Sequence, residues 1–479
     1  MSMQMLIGGE LVESANGGRM EAIDPATEQV IGSVPAGTAQ DMEKAVAAAE
    51  SAQPAWAALS IDARAAYMHK VADGMDARAA EILEIEVKDT GNTIAKMEAD
   101  VQKAAERIRN YAALGFEVKG ITVPSTPGNL HVTVCEPYGV VGRIIPFNHP
   151  IAFAGRALAG PLITGNTVVI KPPEQSSLSA GILGEICKEC LPAGVVNIVT
   201  GEGAAVGDAL VRHPRVKRIA FTGSAETGMI IQRAAAEVAV KHVTLELGGK
   251  NPMIVFPDAD LDKAIPAAVA GMNFAWQGQS CGSTSRLFVH DSLYDRVLEG
   301  VAERVRALRI GMPLDYDSQV GPMNNKEQLE KAVKYIALGV EEGARLVVGG
   351  KRPEGDMFAK GYWIEPAVFA DVTMDMRIAK EEIFGPVMSV IRWSGVDEVI
   401  EMANATDYGL TAAIWTRDID TAITTARRVQ SGYVWINGTS RHYRGMPFGG
   451  MKNSGTGREE SIDELLSYTE TKAIHVLTA

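Results

Sequence analysis

Apolar residues recur at helical spacing through the first third of the chain and then give way to short apolar runs. Met97, Val101, Ala105, Ile108 and Ala112 share one face of a helix, because residues three and four apart lie one above another. Thr38 followed by Asp41 reads as a variant of the capping box and predicts the start of the helix that carries Val46. A short strand-rich stretch precedes these helices. From Gly139 the pattern changes. Residues 140–145, 167–170, 195–199, 219–221 and 243–247 read as strands, separated by apolar stretches of helix length. That alternation predicts a parallel, doubly wound sheet that takes ligands at the carboxyl ends of its strands. Asn148, Lys171, Gly201 and Ser224 each follow one of them.

A second α/β region is expected over 251–450. Asp258-Ala259-Asp260 reads as a helix start, with the helix running toward Trp276 and Cys281 in or beside the loop after it. Arg286-Leu287-Phe288-Val289 restarts a strand. The turn cluster Ser125-Thr126-Pro127-Gly128-Asn129 marks a boundary. Residues 131–135 and 468–477 read as strands with few partners in either region. Open strand edges are a hazard that proteins cover, so a homo-oligomer is expected.

Composition narrows the class. A chain of 479 residues exceeds one ordinary core, so two large domains with a small third element are expected. The net charge of −13 is spread along the chain, which argues against a nucleic-acid partner, since that needs a basic surface. No apolar run reaches membrane-spanning length. The start, Met1-Ser2-Met3-Gln4-Met5, lacks a basic region before an apolar core. No membrane association and a cytoplasmic location are therefore expected. Four cysteines are too few for a disulfide scaffold. Cys187-Lys188-Glu189-Cys190 has redox spacing, yet it falls late in an expected helix without a second Cys or His pair and reads as structural. Cys135 reads as a strand residue. No metal-ligand spacing connects the histidines, so no metal is expected.

The chemistry concentrates on Cys281, in Gln277-Gly278-Gln279-Ser280-Cys281, followed by Gly282 and Ser283. Small neighbours pack a core poorly and let another molecule approach, which favours a nucleophile over a buried structural thiol. Glu246 in Leu245-Glu246-Leu247-Gly248-Gly249-Lys250 offers a base, or a structural carboxylate at a strand end. Asn148 in Pro146-Phe147-Asn148-His149-Pro150 offers an amide donor for an oxyanion. For a nucleotide the standard G-x-G-x-x-G is absent, and Gly201-x-Gly203-x-x-x-Gly207 misses it by one residue. Lys171-Pro172-Pro173-Glu174 is an ion pair at a strand's end that could also bond the two hydroxyls of a ribose. Ser224 and Thr227, after Phe221-Thr222-Gly223, suit a helix N-terminus. That is either a simple N-cap or a pyrophosphate site.

Taken together, the runs around Asn148, Glu246 and Cys281 resemble the aldehyde dehydrogenase superfamily. Phe221-Thr222-Gly223-Ser224, Glu381-Glu382-Ile383-Phe384-Gly385-Pro386 and Pro447-Phe448-Gly449-Gly450 match as well and keep the family's order. The resemblance runs from about Ile7 to Leu477. It implies an α/β fold with a Rossmann-type cofactor domain (1–118 and 138–248), an α/β catalytic domain (249–450) and a small β oligomerisation element (119–137 and 451–479). By resemblance NAD is the cofactor, with NADP weaker. Its contacts would be Ile144, Pro146, Phe147, Lys171, Glu174, Gly203, Phe221, Thr222, Gly223, Ser224, Thr227 and Leu247, with Glu382 and Phe384 at the nicotinamide ribose. A small-molecule aldehyde becomes an acid through a thiohemiacetal and thioester on Cys281, with Glu246 as base and Asn148 as oxyanion donor. Members that pass the acyl group to coenzyme A generally lack the glutamate, so hydrolysis is expected. The family assembles as dimers or tetramers.

This sequence departs from the family at Ala157, where many members carry a lysine that relays protons with a glutamate matching Glu459. Arg156 is adjacent, but its side chain is expected to point elsewhere, which leaves Glu459 without its partner. By family position the aldehyde tunnel is lined by His149, Phe153, Arg156, Trp276, Ser280, Gly282, His442 and Tyr443. The aromatic members favour aromatic or unsaturated apolar aldehydes. Arg156, Arg441 and Arg444 favour a semialdehyde instead. A cysteine hydrolase or acyltransferase without nucleotide accounts for Cys281 and Asn148 but leaves Lys171, Glu174, Ser224 and Glu382 unexplained. A non-catalytic protein on the same fold leaves all three chemical residues unexplained.

Overall fold

A computed structural model of the chain describes residues 1–124 and 127–477. Ser125 and Thr126 of the expected turn cluster lie outside the described residues. An eight-stranded sheet and a seven-stranded sheet form the two cores.

The first sheet runs in the order Glu10–Val12, Met5–Ile7, Val196–Ile198, Thr167–Lys171, Val140–Ile144, Val216–Thr222, His242–Glu246, Gly455–Thr456. Its central five strands are parallel. Among these five the chain enters at the middle strand, Val140–Ile144, works outward to Val196–Ile198, then returns to build the other side. That reversal leaves a crevice between the carboxyl ends of Val140–Ile144 and Val216–Thr222, where such sheets hold their ligands. The helix Ile94–Ala113 buries the five residues of its apolar face and packs on the helix Pro150–Ile163. Thr38 caps the helix Ala39–Ala57 through the Asp41 N–H, and the Asp41 carboxylate returns a bond to the Thr38 N–H at 3.0 Å.

Pro252–Val255, Arg286–His290, Ala367–Ala370, Val387–Trp393, Thr411–Trp415 and Tyr433–Ile436 form the parallel part of the second sheet, with Arg345–Val348 antiparallel at one edge. The helix before Cys281 is shorter than its start signal suggests. It spans Leu261–Gly271 and stops before Trp276. Asn273 takes the left-handed conformation at φ 56°, a common way to end a helix, and Gln277 follows at φ 53°. Those turns swing the Cys281 loop back across the sheet.

Leu130–Pro137 and Thr469–Val476 pair with each other as an antiparallel ribbon apart from both sheets. The preceding residues are not part of that ribbon. Gly455–Thr456 extends the first sheet and the helix Ile462–Leu466 packs on Pro150–Ile163. The expected division at residue 451 thus gives way to one near 468, because the segment's apolar residues, Leu465 and Tyr468, are buried in the first core.

Candidate active site

Two strand ends and the loop before Arg286–His290 bring Asn148, Glu246 and Cys281 into one region. Asn148 sits between the strand Val140–Ile144 and the helix Pro150–Ile163 and is buried. Its Nδ2 donates to the Gln279 carbonyl at 2.9 Å, and its own carbonyl accepts from Asn92 Nδ2 at 2.9 Å. An amide nitrogen has two protons. One is used on the cysteine loop, which leaves the other for a further acceptor.

The loop is held from below. Asn251 Nδ2 donates to the carbonyls of Cys281 at 2.7 Å and Ser283 at 2.9 Å. Gly249 is what permits that grip: a Cβ there would lie 2.7 Å from the Cys281 carbonyl. Sequence reasoning missed Asn251, Gln279 and Asn92, and nothing in their spacing marks them. Cys281 keeps partial surface as a residue, while its thiol is desolvated. Burial, with the carboxylates of Glu246 and Glu382 adding to it, pushes the thiol up to about 12. A thiol so placed needs a base to become a nucleophile.

Glu246 ends the strand His242–Glu246, and its Oε2 is buried without a partner. Burial raises its pKa well above the usual carboxyl range, Glu459 adds to the rise, and Arg156 and Arg458 oppose it. A buried carboxyl with an elevated pKa is suited to accepting a proton near neutral pH.

Arg156 corrects an expectation. Its guanidinium does not point away: one nitrogen pairs with Glu459 and the other with Glu460, and the group lies 5.1 Å from the Phe153 ring centroid. Glu459 also accepts from Arg143 at 3.4 Å, while Glu460 binds Arg107 at 2.6 Å and His442 Nδ1 at 2.9 Å. Burial works to raise Glu459, but Arg156 and Arg143 overcome it and hold the carboxyl below its usual value. Glu459 therefore has a partner despite Ala157, and Arg156 has no nitrogen pair left for a substrate carboxylate.

Candidate substrate residues divide into groups. His149, Phe153 and Trp276 cluster, with His149 centred 5.3 Å from Trp276 and 6.4 Å from Phe153. Ser280 and Gly282 flank the thiol. His442 stacks on Phe448 at 4.5 Å. Tyr443 is 49% exposed and has the Arg441 guanidinium 5.1 Å from its ring. Arg444 is exposed and faces Glu106 at 3.9 Å.

Along the crevice Ile144, Pro146, Phe147, Lys171, Phe221, Thr222, Gly223 and Leu247 all lie at or just beyond strand ends. Buried Lys171 pairs with Glu174, whose carboxylate is partly open. Gly203 lies beside it, where a Cβ would stand 3.8 Å from that carboxylate, an ordinary contact. Ser224 caps the helix Ala225–Ala236 by accepting from the Thr227 N–H at 3.2 Å. The helix begins directly after the strand Val216–Thr222, and a helix N-terminus in that position suits a pyrophosphate. Glu382 accepts from the Gly249 N–H at 2.8 Å, and Phe384, at φ 55°, meets Phe147 edge-on at 5.8 Å. The Glu382 loop and the Cys281 loop thus meet on Gly248-Gly249-Lys250.

A dinucleotide-type crevice that opens on a desolvated thiol and a buried carboxyl defines a class, the nicotinamide-dependent oxidoreductases that work on carbonyl carbon. Within that class the chain belongs to the aldehyde dehydrogenase family, whose model matches residues 11–474. It is 45% identical over 465 residues to aldehyde dehydrogenase tropH of Talaromyces stipitatus, covering 96% of this chain and 90% of that one. An NAD+ complex of aldehyde dehydrogenase from Bacillus cereus superposes with a TM-score of 0.96 at 40% identity, covering 99% of this chain and 96% of that one. A betaine aldehyde dehydrogenase from Staphylococcus aureus, also with NAD+, gives 0.96 at 35% identity over 99% and 96% of the two chains. Among the described residues no helix is long and apolar enough to cross a membrane, and no group of three or more His, Cys, Asp and Glu could hold a metal ion.

Proposed function

We propose that this enzyme oxidises an aromatic or unsaturated apolar aldehyde to its carboxylic acid with NAD, through a covalent intermediate on Cys281. The carrying observation is a desolvated thiol beside an unpartnered buried carboxyl, with the Asn148 amide locked toward the thiol's loop. Cys281 sulfur attacks the aldehyde carbon while its proton passes to Glu246 through water. Asn148 Nδ2 and the Cys281 N–H, which faces its own sulfur, receive the oxyanion of the thiohemiacetal. NAD, when bound, accepts the hydride that leaves this carbon, and a thioester remains on Cys281. Once Glu246 has given up that first proton to solvent, it takes a proton from water, the hydroxide adds to the thioester, and the acid departs as the thiolate returns. Lys171, Glu174 and the N-terminus of Ala225–Ala236 would hold the adenosine and pyrophosphate, and Glu382 the nicotinamide ribose. The aromatic cluster His149, Phe153 and Trp276 supports the substrate class. The semialdehyde reading retains only the exposed Arg441 and Arg444 after Arg156 is committed. Absorbance at 340 nm with NAD and a panel of aldehydes graded by length and aromaticity tests the proposal. A preference for short charged aldehydes would reject the substrate class.

NAD should be preferred over NADP. Glu174 can accept from a ribose 2′-hydroxyl but would face a 2′-phosphate. Two unit charges about 4 Å apart repel by roughly 4 kcal/mol at an effective dielectric of 20. Lys171 offsets part of this. We expect on the order of tenfold to several hundredfold in kcat/KM, and better use of NADP by Glu174→Ser. Equal constants with both cofactors would remove Glu174 as discriminator.

Free cysteines support a reducing compartment such as the cytoplasm. The separate ribbon supports a homo-oligomer, dimer or tetramer: its strands carry exposed Leu130, Ile474 and Val476, with Leu477 just beyond. Light scattering should give a mass above the monomer, and truncation after Tyr468 should lower it before nucleotide binding is lost. A monomer in the intact protein would contradict this assembly.

A further inference from the structure

Asn148 is held at both its backbone and its side chain. Its carbonyl accepts from Asn92 Nδ2 at 2.9 Å, and its own Nδ2 donates to the Gln279 carbonyl at 2.9 Å. Asn92 is held in turn by the cysteine loop. With its amide turned so that nitrogen meets acceptors and oxygen meets a donor, Gln277 donates to Asn92 Oδ1 at 3.1 Å and to the Trp276 carbonyl at 3.2 Å. Its Oε1 then accepts from the Gly321 N–H at 3.2 Å. The bonds close a circuit. It runs from Asn148 to Asn92, on to Gln277, along the backbone to Gln279 and back to Asn148. A brace stands beside it: Gln279 Oε1 accepts from the Asn324 N–H at 3.0 Å, and Asn324 Nδ2 reaches the Thr90 carbonyl at 3.3 Å. All five amide residues are buried.

An amide carries a donor and an acceptor and no charge, so one side chain can serve two neighbours of opposite need. Asn92 does this, with nitrogen toward the Asn148 carbonyl and oxygen toward Gln277. The segments are packed closely enough for the circuit to be stiff. A Cβ on Gly321 would lie 2.1 Å from the Gly91 carbonyl, just before Asn92. Gln277 sits in the left-handed region at φ 53°, a conformation that persists in a non-glycine residue only where its surroundings hold it. Its bonds to Asn92 and Gly321 supply that hold. We propose that Asn92 and Gln277 are positioning residues for the oxyanion site, which fix the Asn148 amide relative to the Cys281 thiol. Their own polar atoms are committed to protein groups, so they act through Asn148 and the loop. The inference rests on the covalent reading above and extends it beyond the thiol, the carboxyl and the amide.

Two reactions at the same sulfur separate positioning from general support. Attack on an aldehyde builds an oxyanion. Alkylation by iodoacetamide does not: sulfur bonds to a saturated carbon as iodide leaves, and no oxygen gains charge. The first is read as the NADH burst with benzaldehyde and NAD, the second as carbamidomethylation of Cys281 followed by peptide mass. Asn92→Leu and Gln277→Met should each slow the burst about ten- to hundredfold, less than the 10²–10³-fold expected for removing an oxyanion donor outright. Alkylation should change by less than about threefold, since it needs only the thiol and its base. In an Asn148→Ala background each substitution should lose its effect on the burst, to a factor of about one, because the group it positions is gone. An unchanged burst in both single variants overturns the proposal. So does an equal fall in burst and alkylation, or a full effect that persists without Asn148. If Asn92→Leu does not fold, Gln277→Met is read by the same criteria. A native protein that oxidises no aldehyde overturns the covalent reading and this inference with it.

Discussion

Cys281→Ala is expected to lose aldehyde oxidation by about 10⁴-fold or more, because no other side chain at the site can carry the acyl group. Glu246→Gln should fail differently. Its steady-state rate should fall by about 10²–10⁴-fold, the usual range for loss of a general base, while a first burst of NADH survives, slowed to a lesser degree because Glu246 also takes the thiol proton. Hydride leaves before water is needed, so loss of the hydrolytic base stalls the thioester rather than preventing it. Stopped-flow absorbance and intact mass after mixing with aldehyde and NAD separate the two variants. The Gln variant should hold an acyl adduct, and the Ala variant should hold none. Full turnover by Cys281→Ala ends the covalent proposal, and equal loss of burst and steady state in Glu246→Gln ends the assigned role of that residue.

Arg156→Met should destabilise the protein by about 3–5 kcal/mol, the usual consequence of removing one partner from a buried ion pair. Glu459 and Glu460 would lose their shared counter-charge, although Arg143, Arg107 and His442 remain beside them. Denaturant unfolding of the variant against the native chain reads this directly, and an unchanged midpoint would show that the pair contributes little. Catalysis should respond as well. Arg156 opposes the rise in the Glu246 pKa. Removing the guanidinium therefore raises Glu246 further. The base must be deprotonated to act, so the rising limb of kcat against pH should move to higher pH. A shift in the acid direction would contradict the electrostatic role.

Arg156 also shows where reading a sequence stops. Its pairing with Glu459 joins residues 303 apart, and no periodicity encodes it. The same holds for His149 with Asp100, for Asn251 under the Cys281 loop, and for residues 455–456, which return to the first sheet. The end of the Leu261–Gly271 helix escaped for a different reason. Its start has an acidic cap signal, whereas its end depends on Asn273 adopting a left-handed backbone, which asparagine tolerates but does not announce.

Local physics is what the chain carries in its sequence alone. Alternating apolar runs set the parallel strands of the first sheet, the spacing of Met97 to Ala112 set a buried helix face, and the small residues around Cys281 marked a thiol open to another molecule. Those signals span a few residues each and sufficed for the fold class, the family and the chemical residues proposed here. Tertiary structure alone decided which charges meet, which hydrogen-bonding groups stay unsatisfied and how far each pKa moves. Desolvation and Coulomb interactions depend on distance in space, and in a folded chain that distance is set by the packing of segments far apart in sequence.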